Sequence, residues 1–297
     1  MGRVVAALDF GGSKIAAAVA DEHGRRLAET TVPTEPERGA EWNLKRGLDA
    51  ARSLLDGRRA AAVGACTFGI PAGNGVGLAP AIEGWEKLAL GRELVSAFSC
   101  DVVRIATDVK AAAEVEVRSG ALGGHDPAIY LNLGTGLAVA LVVGGRVVSG
   151  ANGAAGEIGY NLRRSGARLK PLVSGLGLAA EAERRTGRRL SAADVFAQEA
   201  ADPQLAELVD EFAAELSFQL VNLAIAVDPS RIAVGGGMIR AWERVVVPLH
   251  AALEESVPFP PELVPAAFPF DAPLVGAIAL AVEAVTNKLG PERRNGT

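Results

Sequence analysis

A strand–glycine turn–strand block occurs twice in this chain, and few folds accommodate such a repeat. The first copy runs from an apolar stretch at 4–8 through Asp9, Phe10, Gly11 and Gly12 into a second apolar stretch at 15–20. The second runs from 128–133 through Gly134, Thr135 and Gly136 into 137–143, then turns at Gly144 and Gly145 into 146–148. Laid over one another, Leu8-Asp9-Phe10-Gly11-Gly12 parallels Leu131-Asn132-Leu133-Gly134-Thr135-Gly136. Each copy reads as a β-hairpin, and two copies of one hairpin predict a duplicated fold with an internal two-fold axis. The chain's 297 residues leave room for it, at roughly 150 residues per domain.

The remaining pattern fits two α/β lobes. A strand at 27–32, a helix from 40 to 55 and a strand at 60–67 complete a βββαβ start. Residues 71–85 are rich in Gly, Pro and Ala and read as a long surface loop of the kind that carries ligand contacts. A short strand at 102–106 leads into a helix that opens at Asp108 and stops at Gly120. After the second hairpin come a Gly/Arg-rich loop at 150–172 and helices over 174–185, 192–200 and 205–227. A strand at 231–234 ends in Gly235-Gly236-Gly237, and a helix covers 242–253. Four prolines between 258 and 265 mark an extended connection, and an apolar helix follows at 271–289, with 290–297 expected to fray. The expected domains are 1–107 with the C-terminal helix 272–297, and 108–271.

Composition narrows the function classes. Hydrophobic residues at 49% and charged residues at 22% suit an ordered globular protein rather than a disordered one. With 30 Lys+Arg against 35 Asp+Glu and no basic run, nothing offers to neutralise a phosphate backbone, so nucleic acid is not an expected partner. No apolar stretch approaches the roughly 18 to 20 residues that span a bilayer, and no signal-peptide pattern precedes Asp9, so the expected location is the cytosol. Cys66 and Cys100 have neither knuckle spacing nor the numbers of a disulfide framework, and read as reduced core residues.

The chemistry gathers on the turns. In Asp9-Phe10-Gly11-Gly12-Ser13-Lys14, the glycines let backbone N–H groups approach an anion. Ser13 and Lys14 add donors there, and Asp9 can hold Mg2+ or its water. Gly134-Thr135-Gly136 offers the same cradle from the other lobe, and Gly235-Gly236-Gly237 sits where an adenine or ribose can lie close to backbone. Three such loops in order predict a nucleotide site in a cleft between the lobes. Other nucleotide signatures fail: there is no GxxxxGK[ST] loop, and the GxGxxA match at 175–180 follows a poor strand, which favours a closely packed helix start. Asp108, where a strand meets a helix, can accept the proton of an alcohol as a phosphoryl group arrives; alone it reads sooner as a plain N-cap, and the glycine turns reverse that order. Glu157, on a glycine-rich loop, can bind sugar hydroxyls in pairs. The three histidines have no neighbouring ligands, so neither a metal site nor a catalytic triad is supported.

These residues, together with stretches at 69–85, 108–116, 150–159, 174–175 and 234–237, resemble the ROK (repressor, open reading frame, kinase) family of sugar kinases, within the actin and hexokinase superfamily. The resemblance implies two RNase-H-like, actin-like ATPase lobes, ATP and Mg2+ in the cleft, and γ-phosphoryl transfer to a sugar hydroxyl with Asp108 as base. It also suggests a homodimer. The repressor branch carries a winged helix-turn-helix before the first glycine turn; with that turn at Asp9 none is expected here, and a DNA-binding role is disfavoured. Kinases of the family read Asn-Asp-x-Asn around the base, where this chain reads Thr107-Asp108-Val109-Lys110, so two amides near the acceptor are altered. The family's zinc module, with its sugar-contacting His and second Glu, is replaced by Tyr160, the run 161–164, and Leu169-Lys170, so no zinc is expected.

Each lost hydrogen-bonding group in a buried polar site costs about 1 to 3 kcal/mol, which disfavours plain glucose in the usual pocket. A cyclitol, lacking the ring oxygen and anomeric hydroxyl that the missing residues would read, is the candidate acceptor. Thr107, Lys110, Tyr160 and Lys170 then join Asp108 and Glu157 as substrate-side residues, the two lysines reading either as contacts to an acidic acceptor or as solvated space-fillers. Two other classes stay open: a catalytically weak regulatory binder of the same fold, and a filament or chaperone ATPase that uses no small acceptor.

Overall fold

The computed structural model describes residues 2–73, 75–163 and 165–288; the expected fraying at 290–297, and Arg164 of the replaced zinc module, lie outside the described residues. The chain divides into two packed units, one of Met1–Val115, Ala151–Gly153 and Asp271–Thr297, the other of Glu116–Gly150 and Ala154–Phe270.

In the first unit, β1 (Val4–Phe10) is buried along its whole length, because it is covered on both faces. It pairs antiparallel with β2 (Lys14–Asp21), which pairs antiparallel with β3 (Arg26–Pro33). Helix α1 (Gly39–Leu55) carries the chain over to β4 (Ala60–Thr67), parallel to β1. A short hairpin, β5 (Ile70–Ala72) with β6 (Gly75–Gly77), and helix α2 (Leu90–Phe98) lead to β7 (Val103–Thr107), parallel to β4. The strand order is β3-β2-β1-β4-β7. Ala6, Leu8 and Phe10 pack with α1, α2 and Trp85 on one face.

Val5 and Ala7 face the other way, onto α8 (Ala272–Lys288) and the start of α3 (Asp108–Ser119). That second interface is rich in alanine, and it is tight. A Cβ on Gly64 of β4 would lie 1.9 Å from the Ala277 carbonyl, and one on Gly276 would lie 2.4 Å from that of Ala111. The expected boundary fell at 107/108; the packing of α3 against α8 instead carries this unit on to Val115.

The second unit repeats the first strand for strand. Its strands are β8 (Ala128–Leu133), β9 (Leu137–Val143), β10 (Arg146–Val147), β11 (Arg231–Gly235) and β12 (Glu262–Pro265), in the order β10-β9-β8-β11-β12. As before, the first three are antiparallel and the last two run parallel to the first. Gly144 and Gly145 both have positive φ, as a two-residue turn matched to strand twist requires. Helices α4 (Gly175–Thr186), α5 (Ala192–Gln198), α6 (Pro203–Val227) and α7 (Trp242–Ser256) complete the unit. Ile129, Leu131 and Leu133 pack with Leu216, Leu220 and Leu249 in its core. The duplicated α/β fold expected from the repeat is therefore present in each sheet's topology.

Three elements depart from the sequence reading. The stretch 71–85 contains the β5–β6 hairpin, the region before β7 holds α2, and the proline-marked connection ends as strand β12. Among the described residues, no helix is long and apolar enough to cross a membrane.

Candidate active site

In the first unit the parallel strands β1, β4 and β7 end together, with Phe10, Thr67 and Thr107 in register, and ligands of α/β sheets gather at such carboxyl ends. Side-chain alternation puts Asp9 on the same face of β1 as Val5 and Ala7, opposite Cys66 on β4. Asp9 is 7% exposed, and its Oδ1 is buried without a hydrogen-bond partner. Burial first, and then the nearby Asp108 carboxylate, push the Asp9 carboxyl up to about 7, against the pull of Lys14. The Cys66 thiol is pushed well above its usual range by burial and by the same two carboxylates, and donates to the Pro273 carbonyl at 3.1 Å. Among the described residues no three His, Cys, Asp or Glu side chains form a metal cluster, so Asp9 and Asp108 stand as an acidic pair.

Asp108 is the first residue of α3, one step beyond β7, where the helix N-terminus favours a carboxylate. Its Oδ1 accepts the Val109 N–H at 2.9 Å. The buried Thr107 places its hydroxyl oxygen 3.2 Å from the Lys110 N–H, so it caps the helix that carries Asp108. The Lys110 ammonium donates to the Gly153 carbonyl, and Gly153 itself packs on Ile70. In the first glycine turn, the Gly11 N–H donates to the Lys14 carbonyl at 3.0 Å, and Thr34 donates to the Gly11 carbonyl at 2.8 Å. The Gly11 amide thus closes the turn, while Gly12 is half-buried and Ser13 and Lys14 are exposed. A cavity of about 510 Å³ in this unit, lined by Pro71, Gly73, Arg92, Asp101 and Arg104, includes none of the residues named for the site.

In the second unit, Asn132 of β8 occupies the place that Asp9 holds in β1. The Gly134 N–H donates to the Gly136 carbonyl at 3.1 Å, and α4 begins directly on this turn, with Gly175 N–H to Gly134 O at 2.9 Å and Leu176 N–H to Thr135 O at 3.3 Å. A Cβ on Gly175 would lie 2.8 Å from the Gly134 oxygen, and one on Gly177 would lie 2.6 Å from that of Lys170. The glycines at 175 and 177 thus serve close helix packing, and Ser174 caps the helix by accepting the Gly177 N–H. The three glycines after β11 divide the work. Gly235 makes room for the Tyr130 ring, and Gly236, at φ +94° and with no room beside the Leu133 carbonyl, makes the bend. Gly237, like Gly136, faces open space.

Glu157 is half-buried at the start of a 3-10 turn over Ile158–Tyr160, and Tyr160 lies beneath the Arg168 guanidinium at 5.4 Å. Lys170 is exposed, and its N–H donates to the Gly159 carbonyl at 3.0 Å, which brings Lys170 beside the Glu157–Tyr160 turn. Sequence reasoning missed three residues that shape this region: Asn161, Ser174 and Gln219. A Ser directly before a helix start was a readable signal for Ser174; the other two pair across 58 positions and leave no local pattern.

A family model described as ROK family matches residues 5–284. Among curated proteins, the chain is 29% identical to the bifunctional enzyme NanE/NanK of Brucella melitensis over 93% of its own length, and spans 54% of that relative. Among solved structures, it is 30% identical to the ROK hexokinase of Thermus thermophilus, covering 96% of this chain and 99% of that one, with a TM-score of 0.76. A ROK family glucokinase from Streptomyces griseus, in complex with glucose and AMPPNP, is 28% identical, with 94% and 99% coverage and a TM-score of 0.80.

Proposed function

The chain belongs to the ROK family, and from that premise we propose that it is an ATP-dependent kinase that transfers the γ-phosphoryl group to a hydroxyl of a sugar or sugar-like polyol. The observation that carries the reading is the acidic pair at the carboxyl ends of β1 and β7: a buried Asp9 with an orphaned oxygen, beside an Asp108 set on a helix N-terminus. The hexokinase and glucokinase likenesses, the latter with glucose and AMPPNP bound, support both the donor and the acceptor class.

Asp108 is the general base in this proposal, accepting the acceptor hydroxyl's proton as the phosphoryl group arrives, a role worth about 10² to 10⁴ in rate. Asp9 fits a hard dication, since its buried Oδ1 lacks a partner and oxygen ligands are what such ions take. It would hold Mg2+ through a water. The ion, when bound with ATP, neutralises charge developing on the β and γ phosphates. Gly12, Ser13 and Lys14 of the first turn and the Gly134–Gly136 turn of the second unit are the proposed phosphate contacts, with Gly237 beside adenosine. Thr107 contributes by capping α3 and so aiming Asp108.

The acceptor is a polyol other than plain glucose, with a cyclitol as the leading candidate. Where related kinases carry amides beside the base, this chain places a Thr hydroxyl committed to its own helix and a Lys ammonium bound to the Gly153 carbonyl. The test is phosphoryl transfer from ATP to a panel of hexoses, amino sugars, sugar acids and cyclitols, with Asp108→Asn alongside. Turnover on a polyol of the panel, lost in Asp108→Asn while AMPPNP still binds, is expected. Best turnover on glucose would refute the acceptor argument, and unchanged turnover in Asp108→Asn would refute the base. ATP hydrolysis indifferent to every acceptor would replace the kinase reading with an ATPase.

A further inference from the structure

We infer that Gln219, in the middle of α6, is a positioning residue that sets the shape of the acceptor loop between Gly159 and Lys170. The inference rests on the kinase reading and on the sequence expectation that Glu157, Tyr160 and Lys170 stand on the acceptor side.

The loop closes on itself as a small ladder. Leu162 and Arg168 form an antiparallel bridge, the Arg163 N–H donates to the Ala167 carbonyl at 2.8 Å, and the Leu169 N–H donates to that of Asn161 at 2.9 Å. The Lys170 N–H completes the ladder on Gly159 at 3.0 Å. Apolar anchoring is scant. Leu169 is buried, whereas Asn161, Leu162 and residues 165–168 are exposed. A loop with so little buried hydrocarbon cannot be held by burial alone, and its order depends on polar attachments at its ends.

Those attachments are in place. At the far end, Ser174 donates to the Lys170 carbonyl at 2.8 Å from the cap of α4. At the near end the attachment is Gln219, 8% exposed, with both ends of its amide in use. Its Nε2 donates to the Leu162 carbonyl at 2.9 Å, and its Oε1 accepts from the Asn161 side-chain amide at 3.0 Å. One turn earlier on the same face of α6, Glu215 faces Arg163 at 3.4 Å. That pair is an ion pair without a hydrogen bond: the Arg163 Nε and the Glu215 Oε2 are both buried and unpartnered. Among the described residues, directed bonding between α6 and the loop therefore falls on Gln219. Because Asn161 and Leu162 directly follow Tyr160, and the ladder runs from Asn161 to Leu169 and from Gly159 to Lys170, the amide of Gln219 governs where Tyr160 and Lys170 stand.

The test compares the full-length chain with Gln219→Met, which keeps length but cannot hydrogen-bond, and with Asn161→Ala at an exposed position that leaves the core of α6 untouched. Backbone hydrogen–deuterium exchange across 161–170 and the KM values for acceptor and ATP are measured for each and for the double variant. Exchange at Leu169 and Lys170 is expected to quicken about tenfold, and the acceptor KM to rise about tenfold, the scale of one buried hydrogen bond. The ATP KM stays within about twofold, and the double variant is no worse than Gln219→Met. Unaltered exchange, or faster exchange with an unaltered acceptor KM, overturns the inference, and so does an equal rise in both KM values. A wild-type chain that phosphorylates no acceptor at all overturns the kinase reading beneath it, an outcome distinct from the variants behaving like an active wild type.

Discussion

Replacing Asp9 with Asn should make this protein more stable at alkaline pH while abolishing its proposed activity. Burial and Asp108 raise the Asp9 carboxyl from its ordinary 3.8 to about 7. Across that interval the native state keeps a proton that the unfolded chain has already lost. The stabilisation is therefore present in full below pH 3.8, declines as pH rises, and is gone above pH 7. At 1.36 kcal/mol per pH unit the gap from 3.8 to about 7 amounts to about 4 kcal/mol, an upper bound because relaxation around the ionised group recovers part of it. An amide at position 9 has no such decline. Urea unfolding of the two proteins in divalent-free buffer should give curves that nearly coincide at pH 4 and separate as pH rises, with the Asp9→Asn variant ahead by about 2 to 4 kcal/mol at pH 8. Addition of Mg2+ and AMPPNP should then stabilise wild type and do much less for the variant. A gap that does not vary with pH, or a variant less stable than wild type at pH 8, would refute the assignment of Asp9 as a strained, buried acid.

Two further perturbations separate scaffold from contact. Gly236→Ala should destabilise the fold by about 1 to 3 kcal/mol, because its backbone is left-handed and a Cβ would meet the Leu133 carbonyl at 2.4 Å. Gly237→Ala, in open space one residue on, should leave the unfolding free energy within about 0.5 kcal/mol and instead weaken AMPPNP binding, read by calorimetry. Trp85→Phe removes the donor to the Thr67 hydroxyl at 2.9 Å from a side chain packed between Phe10 and Phe68, and should cost about 1 to 3 kcal/mol in urea unfolding.

What could be read from the sequence was whatever announces itself locally. The two hairpins were visible because a short apolar run followed by glycines and a second apolar run is a short-range signal, and the repetition of that signal at 4–20 and 128–143 exposed the duplicated topology. Helix α2 escaped because it has only nine residues, and its core contacts, Leu90, Leu94 and Phe98, give just one apolar residue per turn. Strand β12 hid behind prolines because it sits at the sheet edge, where a missing N–H is tolerated. For the site, the sequence reading singled out Asp9 and Asp108, and a Thr directly before the helix start was a local signal for the Thr107 cap, but nothing local could reveal that Gly235 exists to admit Tyr130. The clasp of Gln219 on Asn161 joins residues 58 apart, a distance over which periodicity says nothing.

The alanine seam beneath α8 bears on how the polypeptide is made. The strands it covers leave the ribosome before the second unit, and the helix that covers them emerges after it. Until then Val5, Ala7, Ala18 and Ala62 lack their α8 cover, whereas Glu116–Gly150 and Ala154–Phe270 are already complete. Vectorial synthesis thus imposes an order in which the second unit matures first and the strands of the first sheet wait. Ribosome-stalled chains ending before residue 270 should therefore be the species most in need of a chaperone.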